Sequence, residues 1–106
     1  MEIKINTDQN IDGHRDFIEY AKSVMEKHLG RYGEEITRIE VHMSDQNASK
    51  GPDGQGDKRC LIEARLRGMQ PIAITQDAEN IHAALAGAAE KAQRTVGKHI
   101  QKRREH

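Results

Sequence analysis

The sequence predicts an α+β fold, a two-layer sandwich with element order β-α-β-β-β-α, in which two helices cover one face of a four-stranded mixed sheet. Two observations support this prediction. Four segments alternate apolar and polar residues with the period of a half-buried strand. Two longer segments repeat apolar residues every three or four positions, as amphipathic helices do. A chain of 106 residues suits one hydrophobic core, so we expect a single domain, residues 1–106.

The first strand and the first helix are predicted from the opening third of the chain. The segment MEIKIN alternates apolar and polar residues, and Asp12 is placed to cap a helix from about Gly13 to Tyr32. Gly30 and Gly33 can end this helix in the left-handed conformation. Its apolar face is predicted to contain Phe17, Ile18, Ala21, Val24, Met25, Leu29 and Tyr32.

Three further strands complete the predicted sheet. ITRIEVHMS and KRCLIEARLRG alternate, and MQPIAITQ supplies a short fourth strand that Pro71 places at a sheet edge or a bulge. The residues at about 45–57 are rich in turn formers and are predicted to form a flexible hairpin loop. The first β-α-β unit should have parallel strands, followed by hairpins. The residues expected to face the core are Thr37, Ile39, Val41 and Met43, then Cys60, Ile62, Ala64 and Leu66.

The last helix is predicted to begin after Asp77, whose carboxylate can cap it, with Glu79 in the first turn. Gly87 and Gly97 lie inside this helix and each costs about 1 kcal/mol relative to alanine. Close packing against a neighbour is the expected compensation at Gly87, whereas the sequence offers none at Gly97. The apolar stripe consists of Ile81, Ala84, Leu85, Ala88, Ala92, Val96 and Ile100.

The charge of the chain is balanced in total but unevenly distributed. There are 17 basic and 17 acidic residues, yet residues 1–57 hold 7 basic and 12 acidic ones and residues 58–106 hold 10 and 5. A local positive field can therefore attract an anionic partner, while the neutral total argues against indiscriminate coating of nucleic acid.

The strongest positive feature is the basic row of the last helix, Lys91, Arg94, Lys98 and Lys102. Steps of three and four residues align these side chains on one side of the helix, off the apolar stripe. Such a row can contact successive phosphates. The alternative is a solvated helix face whose cations are stabilised near the negative end of the helix dipole. The positive surface is widened at its end by His99, Arg103 and Arg104.

Two weaker basic sets leave more than one interpretation open. The first helix carries Lys22, Lys27 and Arg31. They alternate with glutamates, so ordinary helix ion pairs are one interpretation, and a groove between the helices that recruits Lys22 and Arg31 is the other. The outer sheet face carries Arg59, Arg65 and Arg67. Cross-strand pairing with Glu40 or Glu63 is the alternative to a binding role for these arginines.

No catalytic, metal or cofactor site is predicted. The 6 histidines do not form the short-range pairs with carboxylates or cysteines that mark a zinc site, and the glycines of GPDGQGD are not followed by a helix, as a phosphate loop requires. Cys60 is the only cysteine and is expected to be a core residue of a protein in a reducing compartment. No signal peptide or membrane span is evident, so we expect a cytoplasmic location.

The sequence resembles the ribosome hibernation-promoting factors, the family of protein Y and the sigma-54 modulation proteins, in its short form. The resemblance rests on MEIKI, FIEYAKSVMEKHLGRY, ITRIEVHMS and above all QDAENIHAALAGAAEKAQRTVGKHIQKRREH. Within the last segment, IHAAL followed by the basic ending KHIQKRREH is the most specific part. The resemblance covers nearly the whole chain except the loop Asp45–Asp57, which is longer than usual for the family.

The resemblance implies a non-enzymatic factor without cofactors that binds the small ribosomal subunit and its ribosomal RNA in the channel used by mRNA and tRNA. Such factors hold the ribosome inactive during stress or stationary phase. It implies no membrane and no small-molecule substrate, and a monomer is favoured. The residues it assigns to RNA phosphates are Lys91, Arg94, Lys98, His99, Lys102 and Arg103 in the last helix and Lys22, Lys27 and Arg31 in the first.

Two other classes of function remain open at this point. A protein-interaction module of the same fold could dock its acidic first half on a basic partner or self-associate through the exposed sheet face. An enzyme or small-ligand sensor would need a deep pocket with convergent polar groups. The RNA-binding hypothesis requires that the basic row form a continuous positive surface without internal ion pairs.

Overall fold

The element order of the chain confirms the predicted fold. The computed structural model describes residues 1–8, 15–45 and 58–105. The strands are β1 (Glu2–Thr7), β2 (Ile36–Asp45), β3 (Lys58–Leu66) and β4 (Ile72–Ala78), and the helices are α1 (Arg15–Leu29) and α2 (Ile81–Arg104). A 3₁₀ turn, Gly30–Tyr32, continues α1. The predicted cap Asp12, the predicted helix start Gly13 and residues 46–57 of the predicted loop lie outside the described residues.

The sheet is mixed, as predicted, with strand order β1-β2-β3-β4. Strand β1 runs parallel to β2, while β2 and β3, and then β3 and β4, are antiparallel. Strand β4 lies at an edge and begins directly after Pro71, which has no N–H to donate to a ladder. The prediction from Pro71 is therefore confirmed.

One hydrophobic core lies between the helices and one face of the sheet. The two helices contact each other, and α2 packs over β3 and β4. Its buried positions are mostly alanines, so the helix backbone can approach the sheet closely. Each fully buried Leu, Ile or Met side chain contributes about 1.5–3 kcal/mol. The largest fully buried side chains are Met25, Leu29, Ile36, Ile39, Met43, Ile62 and Leu85.

The predicted orientation of Thr37 is wrong. The pairing of β2 with β3 shifts register between Ile36 and Arg38, which inserts a bulge at the start of β2. Ile36 is buried, and Thr37 is exposed and donates its hydroxyl hydrogen to the Arg65 carbonyl at 3.1 Å. The bulge breaks the alternation, so the larger apolar side chain occupies the core and the hydroxyl stays at the surface.

The predicted cap of the last helix is also wrong. Asp77 belongs to β4, where it faces Arg59 of β3, and Glu79 precedes the helix instead of lying in its first turn. The cap is Asn80, whose side-chain oxygen accepts from the Ala83 N–H at 2.8 Å. Pairing with β3 continues to Ala78, so strand formation extends past the position where the sequence pattern suggested a cap.

The end of α1 does not use a left-handed glycine. Among the described residues only Gly68, in the turn between β3 and β4, has a positive φ, of 69°. Gly33 has a φ of −58° and donates its N–H to the Gly30 carbonyl at 3.0 Å. The 3₁₀ turn thus closes the end of α1 in right-handed conformations, contrary to the prediction for both Gly30 and Gly33.

Close packing accounts for both glycines inside α2. A Cβ atom at Gly87 would lie 2.8 Å from Gln76 Cγ, which agrees with the expected compensation at that position. At Gly97 a Cβ atom would lie 2.7 Å from the hydroxyl oxygen of Tyr32. This second contact explains the glycine for which the sequence offered no reason.

Candidate nucleic-acid interface

The basic row lies on the flank of α2 that faces away from α1. Helix α2 meets α1 and its 3₁₀ extension through His82, Gln93 and Gly97. On the other flank, Lys91 donates from Nζ to the Thr75 carbonyl of β4 at 2.9 Å. The rest of the row follows Lys91 at steps of three and four residues. The row therefore runs along the β4 side of α2 and its outward surface.

The side chains of the basic row are accessible to an anionic partner. All four of its side chains are exposed, and within residues 1–8, 15–45 and 58–105 none of them forms an ion pair. Neighbouring members are one helical turn apart, so their positive fields overlap. No carboxylate among the described residues neutralises these cations, although Lys91 Nζ donates to the Thr75 carbonyl.

His99 extends the row near the end of α2. It is exposed, and its Nδ1 donates to the Thr95 carbonyl at 2.9 Å, which fixes the ring and leaves Nε2 at the surface. A depression beside these turns is lined by Thr95, Lys98, His99, Gln101, Lys102 and Glu105. Lys98 and Lys102 contribute positive charge to this depression, and Glu105 contributes a carboxylate.

The last two arginines of α2 anchor the helix. Arg103 Nη1 donates to the Arg67 carbonyl, and its guanidinium group lies against Gly68. Arg104 Nη2 pairs with Glu35 Oε1 at 2.5 Å. These contacts tie the end of α2 to the turn between β3 and β4 and to the segment before β2. That Arg103 also contacts RNA, as the resemblance implies, stays a prediction.

The predicted cations of the first helix are divided between two sides. Tyr20 contacts His82 of α2, and Lys27 lies seven residues later on the same side of α1. Arg31 follows in the 3₁₀ turn, with its guanidinium carbon 5.8 Å from the centre of the Tyr32 ring. Lys22 shares a different side with glutamates three residues before it and four after. Lys27 therefore lies on the side of α1 that approaches α2, Arg31 lies in the 3₁₀ turn beyond α1, and Lys22 lies on another side of α1.

The three arginines predicted on the open sheet face differ in their contacts: Arg59 pairs with a carboxylate, Arg67 bonds to a backbone carbonyl, and Arg65 is exposed. Arg59 Nε donates to Asp77 Oδ1 at 2.8 Å, and this hydrogen-bonded carboxylate raises the pKa of Arg59. Arg67 donates from Nε to the Glu34 carbonyl at 2.9 Å. Cross-strand pairing does occur, but with a partner other than the expected Glu40 or Glu63. Arg59 is thus neutralised by a carboxylate, whereas no member of the basic row is, within the described part of the chain.

Sequence reasoning missed a cluster on the open sheet face, the Glu–His–Glu cluster of Glu40, His42 and Glu63. The ring nitrogen Nε2 of His42 lies 3.1 Å from Glu63 Oε1 and 3.7 Å from Glu40 Oε1. The expectation that no histidine lies beside carboxylates is wrong here. Glu40 and His42 are two residues apart on one strand and could have been paired from the sequence. Glu63 required the register of β2 and β3.

Cys60 is a core residue, as predicted. Its side chain is fully buried on β3, and burial raises the pKa of the thiol from 9.0 to about 12. The thiolate is the reactive form of cysteine, so the group is inert in the folded protein. Among the described helices none is long and apolar enough to cross a membrane.

Two solved structures share the fold. The Thermus thermophilus Protein Y N-terminal domain is 20% identical, with a TM-score of 0.72 over 92% of this chain and 98% of that chain. A ribosomal subunit interface protein from Coxiella burnetii is 16% identical, with a TM-score of 0.69 over 95% of this chain and 99% of that chain. These similarities show that the chain has the same α+β sandwich fold as these two proteins.

The sequence profile of the family described as Sigma 54 modulation protein / S30EA ribosomal protein matches residues 3–104. The chain belongs to this family, which confirms the resemblance seen in the sequence. No curated protein matches the chain significantly.

Proposed function

We propose that this protein is a cytoplasmic, ribosome-associated hibernation factor that binds ribosomal RNA of the small subunit and holds the ribosome inactive under stress or in stationary phase. The observation that carries the proposal is the basic row of α2, exposed and without ion pairs among the described residues of a chain that is neutral in total. Membership in the S30EA ribosomal protein family supports a ribosomal partner.

The basic row supplies affinity through phosphate contacts. Lysine and arginine side chains that neutralise phosphates release condensed counterions, which makes binding strongest at low salt. The alanine-rich packing of α2 and the anchors at Arg103 and Arg104 hold the helix in a fixed position on the sheet. A rigid row of charges can select folded RNA by the arrangement of its phosphates, without reading base edges.

The first helix plays a smaller part in the proposed interface. Lys27 lies on the side of α1 that approaches α2, and Arg31 follows in the 3₁₀ turn, where an RNA strand bound across the helices would reach them. Lys22 lies among glutamates, whose charge opposes binding of phosphate. We therefore expect the first helix to contribute through Lys27 and Arg31 and only weakly through Lys22.

Co-sedimentation with purified small ribosomal subunits across a salt series tests the proposal. Saturable binding at low salt that weakens linearly on a double-logarithmic plot is the expected result, because each phosphate contact adds about one unit to the slope. Large subunits serve as the control partner and should retain less protein. Absence of binding at low salt by protein with an intact fold would contradict the proposal and favour a protein-interaction module on the same scaffold.

A further inference from the structure

The Glu–His–Glu cluster brings three metal-ligating groups together on the sheet face opposite the helices. Glu40 and His42 are alternate residues of β2, and Glu63 of β3 is the register partner of Glu40. The His42 Nε2 atom and one oxygen from each glutamate all lie within 4.8 Å of one another. All three side chains are partly exposed, so an ion can reach them from solvent.

The spacing of the three ligand atoms suits a small metal ion. A tetrahedral zinc ion with bonds of about 2.0–2.2 Å separates neighbouring ligand atoms by roughly 3.3–3.6 Å. The distances from His42 Nε2, 3.1 Å to Glu63 and 3.7 Å to Glu40, lie on either side of this range. Small rotations of the glutamate side chains would bring both oxygens to bonding distance.

Two of the three ligands are also held from outside the cluster. Arg38 Nε donates to Glu40 Oε2 at 3.0 Å, which leaves Oε1 directed toward His42. The Asn6 amide nitrogen lies 3.4 Å from His42 Nδ1, and Nε2 donates to Glu63 Oε1 at 3.1 Å; with the amide in its opposite orientation, the Asn6 oxygen would accept an Nδ1 proton and Nε2 would be free to bind a metal ion. Hydrogen bonds of this kind to the far atoms of ligands orient metal sites in proteins.

The charges of the cluster also favour a cation. Glu40 and Glu63 lie directly opposite each other across two strands, where like charges are destabilising. Arg38 neutralises part of this negative charge through its ion pair with Glu40. A cation between the carboxylates removes the remaining repulsion, and a neutral imidazole provides the nitrogen ligand preferred by ions such as Zn²⁺.

We propose that Glu40, His42 and Glu63 form a binding site for a divalent transition-metal ion. This replaces the sequence-based expectation that the chain has no metal ligands. The site lies on the sheet face opposite the helices and does not depend on RNA binding by the basic row. Its remaining coordination positions are open to water or to a ligand atom from a partner.

Thermal unfolding of the full chain during titration with zinc tests this proposal, with equilibrium dialysis as a direct measure of the bound ion. We expect one zinc ion per chain and a saturable rise in the unfolding temperature that a chelator reverses. His42→Ala and Glu63→Gln should abolish both effects. His99→Ala and Glu90→Gln alter an exposed histidine and an exposed glutamate of α2, so they serve as matched controls and should retain both effects.

An equal zinc response in His42→Ala would overturn the proposal, since it would assign the ion to scattered surface groups. No bound ion in the unsubstituted protein at excess zinc would overturn it as well. His42→Ala should keep normal affinity for small ribosomal subunits, so failure of the metal site is distinguishable from failure of the RNA-binding surface.

Discussion

The contact between Gly97 and Tyr32 shows what single residues contribute to this fold. Glycine is a poor helix former, and nothing in the sequence near Gly97 indicates why it is present. Tyr32 lies 65 positions away in the chain, and its hydroxyl oxygen occupies the space that a Cβ atom would need. A contact of this range is set by tertiary packing and cannot be derived from local patterns.

A double-mutant cycle at these residues tests this explanation. Gly97→Ala should lower the free energy of unfolding or leave it unchanged, because the new methyl group collides with the Tyr32 hydroxyl and this offsets the gain of about 1 kcal/mol in helix propensity. Combined with Tyr32→Phe the same substitution should be stabilising, because the next ring atom lies at 3.5 Å. Equal effects of Gly97→Ala in both backgrounds, measured by urea unfolding, would contradict the explanation.

Cys60 gives a pH dependence with a definite sign. Because burial raises the pKa of this thiol from 9.0 to about 12, the unfolded chain releases the proton at a lower pH than the folded one. The stability that the neutral thiol provides is complete below pH 9 and is lost as the pH rises toward 12, by up to about 1.4 kcal/mol per pH unit. Urea unfolding at several alkaline pH values should show a steeper decline for the unsubstituted protein than for Cys60→Ala. Equal declines in the free energy of unfolding of the two proteins would show that Cys60 does not contribute to this pH dependence.

At the scale of the elements, hydrophobic periodicity was enough to predict the strands, helices and their order. The features that periodicity did not predict depend on how the strands pair with one another. The bulge between Ile36 and Arg38 inverts the faces of the first residues of β2, and the extension of β4 to Ala78 moves the helix cap from Asp77 to Asn80. Both outcomes are decided by hydrogen bonds to β3, a strand that a local pattern does not include.

Substitution can distinguish the observed cap, Asn80, from the predicted cap, Asp77. Asn80→Ala removes the acceptor for the Ala83 N–H and should lower the free energy of unfolding by about 1 kcal/mol. Asp77→Asn weakens an exposed pair with Arg59 and should cost less than Asn80→Ala does. Urea denaturation of both variants measures the difference. A larger loss from Asp77→Asn than from Asn80→Ala would restore Asp77 as the more important residue.

The ion pair between Arg104 and Glu35 should stabilise mainly the last turn of α2. Glu35→Gln weakens the pair with Arg104, which is mostly exposed, so the global free energy of unfolding should fall by less than about 1 kcal/mol. Hydrogen exchange of the amides in the last turn of α2 should nevertheless become faster, because that turn loses a contact with the segment before β2. Glu90→Gln, on the same helix without an ion pair among the described residues, should leave that exchange unchanged. Unaltered exchange in Glu35→Gln would show that the pair does not anchor the helix.

For the whole molecule, the arrangement of charges is what defines the candidate site. The sequence predicted the basic row because its spacing is local to one helix. It could not predict that Arg59 would pair with Asp77, that Arg103 would bond to a backbone carbonyl, or that Lys22 would lie away from the side of α1 that approaches α2. Those properties follow from strand register and helix orientation. They leave the basic row as a surface of exposed cations without ion pairs among the described residues.

Binding of small ribosomal subunits by two charge-reversed variants tests the RNA-binding role of the basic row most directly. One variant changes Lys91, Arg94, Lys98 and Lys102 to glutamate. The matched control changes the same number of exposed cations outside the row, with the same net charge, at Lys4, Arg15, Lys22 and Arg65. Loss of binding in the first variant with most of the affinity retained in the second is the predicted result. Equal affinities of the two folded variants would contradict the assignment of RNA binding to α2.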